Sequence, residues 1–229
     1  MKSEANLNWH ICAVKQKVLF RYNKKPSAEK NYNILGKYNR VFYQCEACDH
    51  IWAKHYFKIK NIYNKSYLDL TYKDTKGVSN RFNKIINLTI KKSDNKNRAI
   101  RIDKFLNRKK ANLLDVGSGT GVFLYEMKKK GYKAKGLDLD KRYANFLKKK
   151  EIKVFVSKIE NLNIKEKFDL ITFNKVLEHV KNPLKFLKNS LKFLKKNGLI
   201  YIEVPDCKAK LKGKFSGEFC LDHLQLFSI

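Results

Sequence analysis

Three glycines at alternate positions, Gly117, Gly119 and Gly121, close the run "LLDVGSGTGVFL" (residues 113–124), and Asp115 stands two residues before the first. Glycine lets a backbone turn tightly and approach a ligand without a side chain, and such a turn between a strand and a helix cradles adenosine-containing ligands. The spacing is not the G-x-G-x-x-G of dinucleotide sites, because Val122 takes the place of the third glycine. A diphosphate is also a poor neighbour for Asp115, since like charges repel. A ligand carrying a sulfonium and an ammonium, such as S-adenosylmethionine, suits an acid at a strand end. A second acid, Asp138 in "GLDLD", lies 21 residues after Gly117, where a carboxylate can take both ribose hydroxyls. Asp140 reads as the cap of the helix that follows.

The spacing that suggests a metal lies in the N-terminal third. Cys45 and Cys48 in "FYQCEACDHIW" have the spacing of a zinc knuckle, and the segment resembles half of a zinc ribbon. The other half should lie near "HICAVKQK", where Cys12 is present but Lys15 fills the fourth position; His10 or His50 could replace it. The candidate metal ligands are therefore Cys12, Cys45 and Cys48, with zinc as the ion. The competing reading is a metal-free ribbon held by its apolar residues. Five cysteines are an odd set for a disulfide framework and read better as reduced thiols.

These residues need positioning elements, and the pattern supplies them. From Ala111 onward, short apolar runs alternate with helical stretches, which predicts a parallel sheet wrapped by helices. The strands are "NLLDV", "KAKGLDL", "KVFV", "FDLITF" and "LIYIEV"; the helices include "VFLYEMKKK", stopped by Gly131, and "KRYANFLKKK". After the fourth strand, Asn182 caps a helix with Pro183 first, its face formed by Leu184, Leu187, Leu191 and Leu194 and its end at Gly198. The expected fold class is α/β: a Rossmann-like doubly wound parallel sheet ordered 3-2-1-4-5, with a small irregular N-terminal module. Along the chain this gives a zinc-ribbon-like module over 1–66, a helical connector over 67–110 and a cofactor-binding domain over 111–229. "DHLQLFSI" reads as a loop leading into a helix. The two antiparallel strands that usually complete such a sheet are expected to be missing, leaving the fifth strand as an edge.

Residues 111–204 resemble the class I S-adenosylmethionine-dependent methyltransferases. The pieces that carry the resemblance are "LLDVGSGTG", "GLDLD", "SKIENL", "FDLITFNKVLEHV", "FLKKNGLIYIEVPD" and, further on, "DHLQLFS", in the family's order and spacing. The resemblance implies that Asp115 and the loop of Gly117, Ser118, Gly119 and Gly121 hold the methionine end, and that Asp138 holds the ribose. Ser157, Lys158 and Ile159 would flank the adenine, and Asn174 would close the pocket. Lys158 departs from the pattern: the family often has an acid near it for the adenine amino group, and lysine cannot accept that bond. Backbone groups or Glu160 must then serve.

Methyl transfer from a sulfonium depends on in-line positioning, with a base where the acceptor must lose a proton. "FNKVLEHV" lacks the Asn/Asp-Pro-Pro-aromatic sequence of adenine amino-methyltransferases, and no cysteine stands there for cytosine carbon methylation. The resemblance points instead to the small-molecule and sugar branch, where Glu178 and His179 lie beyond the methyl end. There, Asp222 and His223 match an acid–histidine pair over the acceptor pocket, with histidine as base. The expected acceptor is a small metabolite or a sugar or cell-surface glycan precursor. The alternatives are an RNA methyltransferase using the lysine-rich surface and an inactive cofactor-binding partner protein.

A formal charge of +30 favours anionic partners, nucleic acid among them. Only seven of the 51 basic residues are arginine, a mix that fits coding bias as well as function, so nucleic acid is not the favoured partner. No leader-like apolar segment opens the sequence and no apolar run reaches spanning length; a cytoplasmic location is expected.

Overall fold

The computed structural model describes residues 15–27, 29, 32, 34–59, 75–106, 110–207 and 219–228. The chain forms two compact units. One spans residues 63–174 and 189–203; the other joins residues 1–62 to 175–188 and 204–229.

The first unit is built on a five-stranded sheet. Its strands are β6 (Asn112–Val116), β7 (Lys133–Asp138), β8 (Val154–Val156), β9 (Phe168–Asn174) and β10 (Leu194–Glu203). They lie in the order β8-β7-β6-β9-β10, and every neighbouring pair is parallel. In order of sequence that is 3-2-1-4-5, as the alternation predicts. The apolar runs of β6 and β9 are buried at nearly every position, as strands covered on both faces require. Helices α1 (Thr75–Ile86), α2 (Asp94–Leu106), α3 (Val122–Lys129) and α4 (Lys141–Lys148) bring Val78, Phe82, Ala99, Phe123, Met127 and Phe146 into one core with Leu113 and Leu170. Asp140 caps α4 by accepting from the Arg142 amide at 2.7 Å.

Helix α5 (Pro183–Leu191) begins as the sequence predicts, with the Asn182 side chain accepting from the Lys185 amide at 2.9 Å. It ends three residues before Leu194, however, not at Gly198. Leu194 opens β10 opposite Phe168, and the register then jumps to Leu199 opposite Leu170. Gly198 serves this bulge: a Cβ there would stand 2.8 Å from the Leu194 side chain and 3.0 Å from the Phe168 carbonyl. Leucine periodicity continues past the helix because Leu194 is a strand residue in phase with it, and Leu191 is 53% exposed.

The second unit contains β1 (Gln16–Tyr22), β3 (Arg40–Cys45), β4 (Ile51–His55) and β11 (Gln225–Leu226), which form an antiparallel sheet in the order β1-β3-β4-β11. A separate pair joins β2 (Ile34–Leu35) to β5 (Lys58–Ile59). Strand β11 falls in "DHLQLFSI", where the pattern predicts the start of a helix; Gln225 and Leu226 pair with Trp52 and Ile51. Leu226 and Phe219 pack with Phe42, Ile51 and Cys207, so that segment is held by burial and not by local propensity. At the centre of this unit the Arg40 guanidinium donates to Glu29 Oε1 at 2.8 Å and to the Phe219 carbonyl at 2.8 Å, with both charged side chains almost wholly buried.

Candidate functional site

The carboxyl ends of β6, β7 and β9 meet where the strand order reverses, the crevice in which open α/β sheets bind ligands. Asp115 lies there, 2% exposed, one residue before the end of β6. Its Oδ1 accepts from the Thr172 hydroxyl at 2.7 Å and from the Asn174 amide at 2.8 Å. Burial pushes the carboxyl pKa up to about 7, against the Thr172 bond, the Arg98 charge and the Asn174 bond, which all lower it.

The glycine loop follows. Gly117 and Ser118 donate to the Leu137 carbonyl, tying the loop to β7. Gly119 has φ +51°, with nothing within 4 Å of where a Cβ would stand, so its face is open to a ligand. Gly121 serves packing instead. A Cβ there would meet Leu147 Cδ1 at 2.4 Å, so the missing side chain lets α4 lie against the loop. Gly136 in β7 plays a similar part that the spacing of the other glycines does not reveal, since its Cβ would lie 2.5 Å from Ser118 Oγ.

Asp138 ends β7. Its Oδ2 accepts from the Gly119 amide at 2.8 Å and Oδ1 from the Asp140 amide at 3.1 Å. Burial raises its pKa, and these backbone bonds work against that rise. A carboxylate offers about four lone-pair sites, so the two oxygens can still accept two hydroxyls. Ser157 sits beside it, its amide donating to the Asp138 carbonyl at 3.2 Å. The Ser157 hydroxyl donates to the Lys158 carbonyl, and Ile159, 1% exposed, opens a 3-10 turn. Asp115, the glycine loop, Asp138, Ser157 and Asn174 thus lie together along one edge of one sheet.

Sequence reasoning misses Thr172, Arg98 and Glu203. Arg98, 4% exposed on α2, donates through Nε and Nη2 to the Glu203 carboxylate at the end of β10, and Arg101 and Tyr201 bond the same group. The available signal is the scarcity of arginine. In a chain where most cations are lysine, Arg40, Arg98, Arg101 and Arg142 each pair with a carboxylate, and Arg98 and Arg142 do so through two nitrogens, the fork geometry that lysine cannot supply.

The other expected functional residues belong to the second unit. Glu178 and His179 lie in a 3-10 turn (Leu177–His179), and Asp222 and His223 in the segment before β11. The Leu224 amide donates to the Glu178 carbonyl at 2.7 Å, and His179 Nδ1 lies 2.8 Å from the Asp222 carbonyl. A carbonyl only accepts, so in the neutral ring Nδ1 carries the proton and Nε2 the lone pair. The rings of His179 and His223 meet edge to face with centroids 4.9 Å apart. Burial works to raise the Asp222 pKa, but the His179 charge, the Cys220 bond and the His223 charge outweigh it and hold the carboxyl low. Cys45 is buried at the end of β3 and Cys48 is exposed in the turn after it. Among the described residues no third ligand joins these two cysteines; Cys12 and His10 lie outside the described residues.

Residues 91–229 match the family described as "Methyltransferase domain". The uncharacterized protein MJ1123 of Methanocaldococcus jannaschii is 37% identical over 95 residues, 41% of this chain and 44% of that protein. Streptomyces venezuelae DesVI has a similar fold, with TM-score 0.50 and 18% identity over 62% of each chain. A Methanococcus maripaludis protein assigned as an S-adenosylmethionine-dependent methyltransferase gives TM-score 0.49 and 19% identity over 57% of this chain and 64% of that one. This chain spans less than half of the M. jannaschii protein and less than two thirds of either solved structure.

Proposed function

The chain belongs to the methyltransferase-domain family, and on that premise we propose that it transfers the methyl group of S-adenosylmethionine to a small metabolite or a sugar or glycan precursor. The observation that carries this reading is the meeting of Asp115, the open face of Gly119 and the Asp138 carboxylate at the strand-order reversal. There, Asp138 binds the two ribose hydroxyls, and the Ser157–Ile159 turn borders the adenine. Asp115, ionised, draws the ammonium and sulfonium end, oriented by Thr172 and Asn174. S-adenosylmethionine supplies an activated methyl group on sulfur; the protein's part is to hold the donor and exclude ligands of the wrong charge.

An acceptor hydroxyl, amine or carbon must lose a proton as it gains the methyl group. We assign that loss to the group formed by Glu178, His179, Asp222 and His223. The His179 tautomer supports this role, because a lone pair on Nε2 can meet a proton or an electrophile.

The test is incubation of the full chain with radiolabelled S-adenosylmethionine and a cell extract fractionated into metabolites, nucleic acid and protein. Label in a small, sugar-containing product is the expected outcome. Label in RNA alone would replace the acceptor class, and the absence of S-adenosylmethionine binding in calorimetry would overturn the activity itself.

A further inference from the structure

Among the described residues, two triads can bring metal-ligand atoms within 4.8 Å of one another: Glu178, His179 and His223, and Cys220, Asp222 and His223. Both contain His223, and neither includes the cysteines of the knuckle. We propose that Glu178, His179 and His223 form a binding site for a divalent transition-metal ion. The inference rests on the methyl-transfer reading only for the ion's use, not for its binding.

Three features converge. The donor set is two imidazoles and one carboxylate, which suits ions such as Mn²⁺, Fe²⁺, Co²⁺ or Zn²⁺ and leaves coordination positions open. His179 is already arranged as a ligand: its Nδ1–H donates to the Asp222 carbonyl at 2.8 Å, which fixes the ring and places the lone pair on Nε2. Metal-bound histidines are held in this way by a backbone or carboxylate acceptor behind them. Glu178 is 1% exposed, and its carbonyl is bonded to the Leu224 amide, so the turn that carries the carboxylate is tied to the segment that carries His223. A buried carboxylate attracts a divalent cation strongly, because little water screens the pair.

The distances are close to those a metal needs. Ligands about 2.1 Å from an ion stand about 3 to 4.2 Å apart, so the 4.8 Å limit closes with a modest rotation of one half-buried ring. Asp222, whose backbone orients His179 and whose Oδ2 lies 3.8 Å from the same Nδ1, acts as a positioning residue.

An ion with open positions gives the acceptor a recognisable chemistry: two neighbouring oxygens, as in the vicinal diol of a sugar, can chelate it. A hydroxyl bound to the ion loses its proton more readily. In the balanced reaction the oxygen–methyl bond forms, the sulfur–methyl bond breaks and S-adenosylhomocysteine leaves; with both imidazoles bound to the ion, the cluster acts by easing the loss of the proton, which passes to solvent, and not as the base itself.

The experiment is titration of the full chain with Mn²⁺ alone, read by loss of the free-ion electron paramagnetic resonance signal. The expected result is a site that the His179→Ala/His223→Ala double variant weakens at least 10-fold, with circular dichroism and S-adenosylmethionine affinity unchanged. If the double variant fails the circular dichroism check, Glu178→Gln and His223→Asn, each nearly isosteric, give the same readout. No binding of Mn²⁺ or Zn²⁺ to the wild type up to millimolar concentration, or undiminished binding in the folded variants, would overturn the site. Failure to bind S-adenosylmethionine would sink the methyl-transfer reading while leaving the metal titration intact.

Discussion

Desolvation favours the neutral form of a titratable group in both units, but in different settings. In the parallel-sheet unit, Asp115 is buried against hydroxyl and amide donors, and its pKa rises to about 7. In the antiparallel unit His55 is half-buried, and its pKa falls to about 4, first through desolvation and then through the Arg40 charge. The first cost sits where a cationic ligand can offset it; the second sits in a core that must stay neutral or paired. Burial alone therefore does not mark a functional charge. What distinguishes Asp115 is burial at the open end of a sheet, beside a loop with an uncovered face.

The largest effect should come from the antiparallel core. Arg40→Met leaves Glu29 buried without its guanidinium and should cost about 3–5 kcal/mol of stability, read by urea unfolding. A loss below about 1 kcal/mol would erase the contrast, because the pair would then behave like one at the surface.

Next in size is turnover. His223→Ala should lower the methylation rate by about 100-fold with unchanged S-adenosylmethionine affinity, measured on the acceptor found in the extract assay. Full activity would move the proton-removing role to the other members of its cluster.

Asp138→Ala should weaken S-adenosylmethionine by about 1–3 kcal/mol, the cost of lost bonds to a charged acceptor. Calorimetry showing equal affinity would break the assignment of Asp138 to the ribose.

The smallest effects are two opposite slopes of stability against pH. His55 has a folded pKa below its unfolded value, so the folded state binds fewer protons. Its contribution is present above pH 6.5 and lost as the pH falls toward 4. For Asp115 the folded pKa lies above the unfolded one, so its contribution is fully present below pH 3.8 and lost as the pH rises to about 7. Unfolding measured from pH 4 to 7 should show His55→Gln flattening the first slope and Asp115→Asn the second. Slopes unchanged in both variants would mean that neither group titrates on unfolding.

Legibility follows sequence distance. The β6 loop, Asp138 and the cap at Asp140 are readable because each belongs to a local turn whose residue types are dictated by backbone geometry. The strand order is readable as well, since right-handed parallel crossovers leave few alternatives. Arg98 and Glu203 are not readable as a pair: 105 residues separate them, and neither stands in a local pattern. The end of α5 is misread from the pattern because leucines at 184, 187, 191 and 194 share a helical period, whereas the pairing of Leu194 with Phe168 that stops the helix is non-local.

By itself, the sequence determined the parallel sheet and the glycine turn and acids at its strand ends. Hydrophobic period, glycine and an acid at a strand end act over a few residues, and their chemistry is the same in any context. Only the tertiary structure decided that "QL" at 225–226 becomes a strand beside Ile51 and Trp52, and that Glu178, His179, Cys220, Asp222 and His223 form one cluster. Two residues are too short a stretch for strand preference to announce itself. The cluster joins segments some forty residues apart, and they are tied by the Leu224 amide on the Glu178 carbonyl and by His179 Nδ1 on the Asp222 carbonyl, bonds that exist only in the folded chain.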